Sequence, residues 1–254
     1  MRAPRAAAPF TGTQSEWSGF PRFDFECDGR PAIVVAPARP AEGRPWLWRG
    51  EFFGAFANAD VALLREGWHV AYLDCKNTFG SPETMRHWEA FYRVLTHEHG
   101  LARRPVLLGM SRGGLYVYAW ATLHPETVGL IYGDAPVCDV KSWPGGKGKG
   151  TGSAKDWALF QQVFGLTEEQ ALAWRGNPID TLAPIARARI PILHVVGDAD
   201  EAVPVPENTD ILKARYEALG GTMDVIVKKG VGHHPHGLED PAPILEYIRR
   251  HARR

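Results

Sequence analysis

Six short stretches of the sequence are apolar at nearly every position: Ala32–Ala36, His69–Leu73, Pro105–Leu108, Val128–Tyr132, Ile192–Val196 and Met223–Val227. A strand with one wet face alternates polar and apolar residues. A strand covered on both faces does not, so these runs predict parallel strands inside a sheet. Between them the period changes to that of a helix. Met85, Trp88, Phe91, Tyr92 and Leu95 share one helical face, after a start marked by Ser81 as cap, Pro82 at the first position and Glu83 near the positive end. Thr167-Glu-Glu-Gln170 reads as a capping box. Ile211, Leu212, Tyr216 and Leu219 form a stripe that stops at Gly220-Gly221, and Asp240-Pro241 opens a last helix with Ile244, Leu245 and Ile248 inward. Strand–helix alternation of this kind predicts an α/β fold, a doubly wound and mostly parallel sheet with flanking helices.

One stretch breaks the rhythm. From Asp139 to about Leu182 no strand pattern occurs, but aromatic residues and the glycine-rich run Gly145–Gly152 do. The expectation is a single domain over residues 1–254 with a lid-like insertion at about 139–182, on the carboxyl edge of the sheet, where α/β folds place their ligands.

Composition narrows the function classes. The chain has 254 residues, 44% of them hydrophobic, enough for a full core. Its 29 basic and 29 acidic residues cancel, which leaves no general field for nucleic acid or anionic membrane. No apolar run approaches the length of a membrane helix. Three widely spaced cysteines, Cys27, Cys75 and Cys138, make neither a disulfide framework nor a zinc knuckle. The basic Met1–Phe10 segment lacks the apolar centre of a secretory signal, so a cytoplasmic location is expected, or a periplasmic or secreted one if a leader was removed.

The chemistry centres on Gly109-Met-Ser-Arg-Gly113, which directly follows an apolar strand and directly precedes a helix-like run. Glycines two before and two after the serine allow a sharp turn in which the hydroxyl of Ser111 stands above the sheet edge. The amide of Arg112 then points where a tetrahedral oxyanion would form. A serine needs a base, and the base needs an orienting acid, in the chain order serine, acid, histidine for this type of turn. Asp198, Asp200 and Glu201 all follow a late strand and compete for the acid. His233 follows the last strand in a glycine-flanked loop and supplies the base.

The pattern resembles the α/β-hydrolase superfamily over about residues 30 to 250. In that superfamily Gly-x-x-Asp-x-x-Val-Pro carries the acid, and Gly197-Asp-Ala-Asp200-Glu-Ala-Val-Pro204 selects Asp200 by this resemblance. Gly230-Val-Gly-His233 matches the segment that carries the base. The strings Pro45-Trp-Leu-Trp-Arg49, Gly109–Leu115 and Asp134–Asp139 are also similar to generically described bacterial hydrolases that recur in polysaccharide breakdown. The resemblance implies ester cleavage through an acyl-enzyme, with a small-molecule or glycan ester as partner. Two rivals are an exopeptidase or carbon–carbon bond hydrolase on the same triad, and a catalytically silent ligand-binding homologue.

The glycine signature that often supplies the second oxyanion amide is missing after the early strand. That donor is therefore expected among Trp46 to Arg49, with Trp48 chosen. Arg49 is expected either to bind a substrate carboxylate or to sit in a surface salt bridge. Trp143, Trp157 and Trp174 lie in the insertion, and Trp143 is the candidate for stacking on substrate. Asp134 is the reserve triad acid. His233, His234 and His236 lack the four-residue helical spacing of a metal pair, and Pro235 breaks any helix, so no metal and no organic cofactor are expected. Gly145–Gly152 lacks the lysine of a phosphate loop, but Lys147 and Lys149 make it basic. A monomer or weak homo-oligomer is expected.

Overall fold

The structure, a computed structural model, describes residues 9–253. Most of the Met1–Phe10 segment thus lies outside the described residues. Among the described residues nine strands form one sheet: β1 (Thr13–Trp17), β2 (Phe20–Cys27), β3 (Arg30–Val35), β4 (Trp46–Arg49), β5 (His69–Leu73), β6 (Val106–Met110), β7 (Leu130–Asp134), β8 (Ile192–Gly197) and β9 (Met223–Lys228). Their order across the sheet is β1-β2-β3-β5-β4-β6-β7-β8-β9. From β5 through β9 the pairings are parallel, whereas β1, β2 and β3 meander antiparallel onto β5.

β5, β6, β7 and β8 are buried at every position, as continuous apolar runs require. Ala32–Ala36, expected as a parallel strand, is β3 and pairs antiparallel with β2 and β5, and the rest of this edge meander was not expected from the sequence. It alternates Phe23, Phe25 and Cys27 with Arg22, Asp24 and Glu26, and its turns Ser18-Gly19 and Asp28-Gly29 have positive φ at both residues. That conformation matches the strand twist in two-residue hairpins, and Asp-Gly is its strongest sequence signal. β4 is four residues long and was read only as part of a motif, too short to show any period.

Helices cover both faces. Trp88 and Phe91 of α2 (Pro82–Arg93), Leu115 and Tyr116 of α3 (Gly113–Leu123), and Leu212 and Tyr216 of α7 (Thr209–Ala218) pack on the face that carries Trp46, Trp48 and Leu107. Leu63 and Leu64 of α1 (Asn58–Arg65) and Ile244, Leu245 and Ile248 of α8 (Ala242–His251) pack on the other, against Leu47, Val70 and Leu108. Ser81 caps α2 through Thr84 N, and Thr167 and Gln170 form the capping box that opens α5 (Glu168–Ala173). Residues 139–182 follow β7 and carry α4 (Ala154–Phe164) and α5 without a strand. Among the described residues no helix is long and apolar enough to cross a membrane.

Candidate active site

β6 ends in the sharp turn at Ser111, and α3 starts two residues later. Ser111 has φ 48°, a left-handed conformation that costs an L-residue roughly 1–2 kcal/mol. Neighbouring backbone holds it there: its amide donates to Asp134 O at 2.8 Å, and its carbonyl accepts from Gly114 N at 3.0 Å and Val137 N at 2.8 Å. Gly109 is required by close approach, since a β-carbon there would lie 2.6 Å from Val117 Cγ2 and 2.9 Å from Gly114 Cα. The helix can therefore press directly onto the strand that presents the serine.

Three groups from distant parts of the chain meet above this edge. Ser111 Oγ lies 2.9 Å from His233 Nε2, and His233 Nδ1 lies 2.7 Å from Asp200 Oδ2. Asp200 follows β8, and its side chain is 1% exposed. Its second oxygen accepts from Ala202 N at 2.9 Å and Val203 N at 2.8 Å, which fixes the carboxylate. His233 sits in the loop after β9. Asp198, one of the competing acids, instead accepts from Gly230 N at 2.6 Å and so anchors the start of that loop. Asp134, the reserve acid, pairs with a different histidine: its Oδ1 lies 3.1 Å from His236 Nδ1, and its Oδ2 accepts from Tyr132 Oη at 3.3 Å.

Two of the expected site residues are displaced by the structure. Trp48 is fully buried inside β4 and stacks on Trp88 with ring centroids 4.2 Å apart. As an interior strand residue between β5 and β6, it lies in the ladder and does not line the cleft at Ser111. Arg49 is equally buried, so it is neither a substrate fork nor a surface bridge. Its Nη1 donates to Asp60 Oδ1 at 2.9 Å and its Nη2 to Ala55 O at 2.9 Å, which fastens the loop after β4 from behind. Burial raises the Asp60 pKa even with Arg49 beside it, and Arg49 Nε and Asp60 Oδ2 have no hydrogen-bond partner among the described residues. Arg49→Met is therefore expected to lower unfolding free energy by about 3–5 kcal/mol, because it strands a buried carboxylate; adding Asp60→Leu should recover most of the loss. Urea unfolding measures both, and a single variant as stable as wild type would contradict the ion-pair account.

The structure also shows a hub that the sequence reading missed. Glu51, 1% exposed, accepts from Arg112 Nε at 2.6 Å, Arg112 Nη2 at 3.1 Å, Tyr116 Oη at 3.2 Å and Asn77 N at 3.0 Å. It ties the loop after β4 to the residue after the serine. Close contact between these segments depends on Gly50, where a β-carbon would lie 2.7 Å from Gly113 O. The Arg112 guanidinium is sandwiched near the rings of Phe52, Phe79 and Trp143. The Arg112 amide has no acceptor among the described residues.

Ser111 opens into a cleft of about 410 Å³ lined by Phe52, Ala55, Phe56, Met110, Trp143 and Val203, with His233, His234 and His236 along one side. Trp143 thus lines the cleft. Trp157 and Trp174 pack on Phe160 within residues 139–182. Lys147 pairs with Glu168 at 2.9 Å and lies over Trp157, so its charge is engaged within the same segment. Burial pushes the Cys75 thiol up to about 12 and raises that of Cys138, which leaves both as unreactive thiols at neutral pH. Partial burial, then His236 and His233, lower the pKa of exposed His234.

No protein-family model matches the chain, and no curated protein matches it either. Solved structures do. A puromycin hydrolase superposes over 84% of this chain with a TM-score of 0.65 at 20% identity. Dipeptidyl peptidase 4 from Porphyromonas gingivalis matches over 91% with a TM-score of 0.67 at 16% identity. An acylaminoacyl peptidase complexed with Z-Gly-Gly-Phe-chloromethyl ketone matches over 91% with a TM-score of 0.68 at 12% identity. The chain covers 35%, 35% and 41% of the length of those three proteins. The fold of this chain is the α/β-hydrolase fold.

Proposed function

We propose that this chain is a serine hydrolase that cleaves an acyl bond through an acyl-enzyme on Ser111, with peptide or aminoacyl amides as the first substrate class. The hydrogen-bonded relay from Ser111 through His233 to Asp200, at the mouth of an apolar cleft, carries the reading. His233 takes the hydroxyl proton as Ser111 attacks the carbonyl carbon, and Asp200 holds the imidazole with its Nδ1–H inward and stabilises the imidazolium. The Arg112 amide receives the oxyanion. The second donor belongs to the loop after β4, which brings Phe52, Ala55 and Phe56 to the cleft. His233 then protonates the leaving group and activates water for deacylation.

The peptidase preference rests on the names of the similar structures: a puromycin hydrolase, a dipeptidyl peptidase and an acylaminoacyl peptidase. No such support exists for the glycan ester implied by the sequence resemblance. A second reading, a simple carboxylic ester, is favoured by the cleft itself. Among the described residues no carboxylate lines it to receive a free α-amine, so its apolar wall suits a blocked or uncharged acyl group. A fluorophosphonate probe is expected to label the protein at Ser111, and apolar aminoacyl p-nitroanilides to turn over. Turnover of p-nitrophenyl esters alone would select the ester reading, and an unlabelled Ser111 would overturn both.

A further inference from the structure

Beside the triad stands a second histidine–carboxylate pair that the proposed mechanism does not use. His236 has its Nδ1 on Asp134 and is 3% exposed at its side chain, and its Nε2 has no partner among the described residues. Both His236 and His233 therefore use Nδ1 on a carboxylate and keep Nε2 for something else, the arrangement by which proteins orient metal-binding imidazoles. A third ring, His234, is exposed and makes no hydrogen bond among the described residues. One nitrogen from each of the three lies within 4.8 Å of the other two. Ring centroids are 4.7, 4.9 and 5.1 Å apart, and three imidazoles around one tetrahedral ion with bonds of about 2.0–2.1 Å place their centroids about 5 Å apart.

We propose that His233, His234 and His236 form an inhibitory Zn2+ site overlapping the catalytic base. Imidazole is a fitting donor for this ion, and water completes a four-coordinate shell. Bringing nitrogens now up to 4.8 Å apart to the roughly 3.3 Å of a tetrahedral shell needs a shift of the order of 1.5 Å. Exposed His234 can supply it by side-chain rotation. The consequence for catalysis is direct. The Nε2 lone pair of His233 accepts the Ser111 proton across 2.9 Å, and an ion bound to that lone pair blocks the transfer. Pro235 rules out a helical metal pair, but a loop brings the rings together without one.

The inference rests on the proposed function only for its inhibitory effect; binding is tested separately. Chelator-treated full-length protein is titrated with Zn2+ by calorimetry and with Co2+ by visible absorption. One ion per chain and a tetrahedral Co2+ spectrum are expected. His234→Ala and, independently, His236→Gln are each expected to weaken Zn2+ binding at least about tenfold. Zn2+ should suppress hydrolysis in wild type, and EDTA should restore it. No binding at millimolar Zn2+, or wild-type affinity in both variants, overturns the proposal, as does bound Zn2+ without inhibition of an active enzyme. If Ser111 escapes the fluorophosphonate probe while the Co2+ spectrum appears, the hydrolase reading fails and the metal site stands.

Discussion

Ser111→Ala is expected to lower turnover by about four to six orders of magnitude while leaving the fold intact. Only the Oγ atom is removed. Alanine meets the same left-handed strain at φ 48°, and the backbone bonds to Asp134, Gly114 and Val137 are untouched. Substrate affinity should therefore change little, because the cleft wall of Phe52, Phe56, Met110, Trp143 and Val203 remains. Single-turnover kinetics on the best ester or anilide, with far-ultraviolet circular dichroism as a control for folding, checks this. Activity within tenfold of wild type would remove Ser111 from the chemistry.

Asp200→Asn should be nearly as damaging, by about four orders of magnitude in turnover, since an amide favours the wrong imidazole tautomer. The carboxylate oxygen on His233 Nδ1 is the one that changes role; the other oxygen's bonds to Ala202 N and Val203 N keep the loop in place. Asp134→Asn disturbs only the contacts to His236 and Tyr132, and a loss of about tenfold or less is expected for one weakened hydrogen bond. Parallel kinetics on the two variants decide between the acids. A larger loss at Asp134 than at Asp200 would reverse the assignment.

Of the three groups proposed as a triad, two are announced by local patterns. Ser111 lies in a glycine-framed turn between an apolar strand and a helix, and His233 in a glycine-flanked loop after the last strand. Asp200 needed the resemblance, because Asp198 stands equally well placed along the chain. In three dimensions the two separate cleanly: Asp200 turns inward to His233, whereas Asp198 bonds Gly230. The edge meander carried a readable Asp28-Gly29 turn and was overlooked for lack of continuous apolar runs.

Periodicity and turn chemistry are properties of neighbouring residues, so the sequence alone determined the α/β alternation and the sharp turn at Ser111. Packing joins residues far apart in the chain, and only the tertiary structure decided those matters. It placed in the interior both Trp48, expected as an oxyanion donor, and Arg49, expected at the substrate or in a surface salt bridge. It tied Glu51 to Arg112 across 61 residues and paired His236 with Asp134 across 102, bonds for which no local pattern exists.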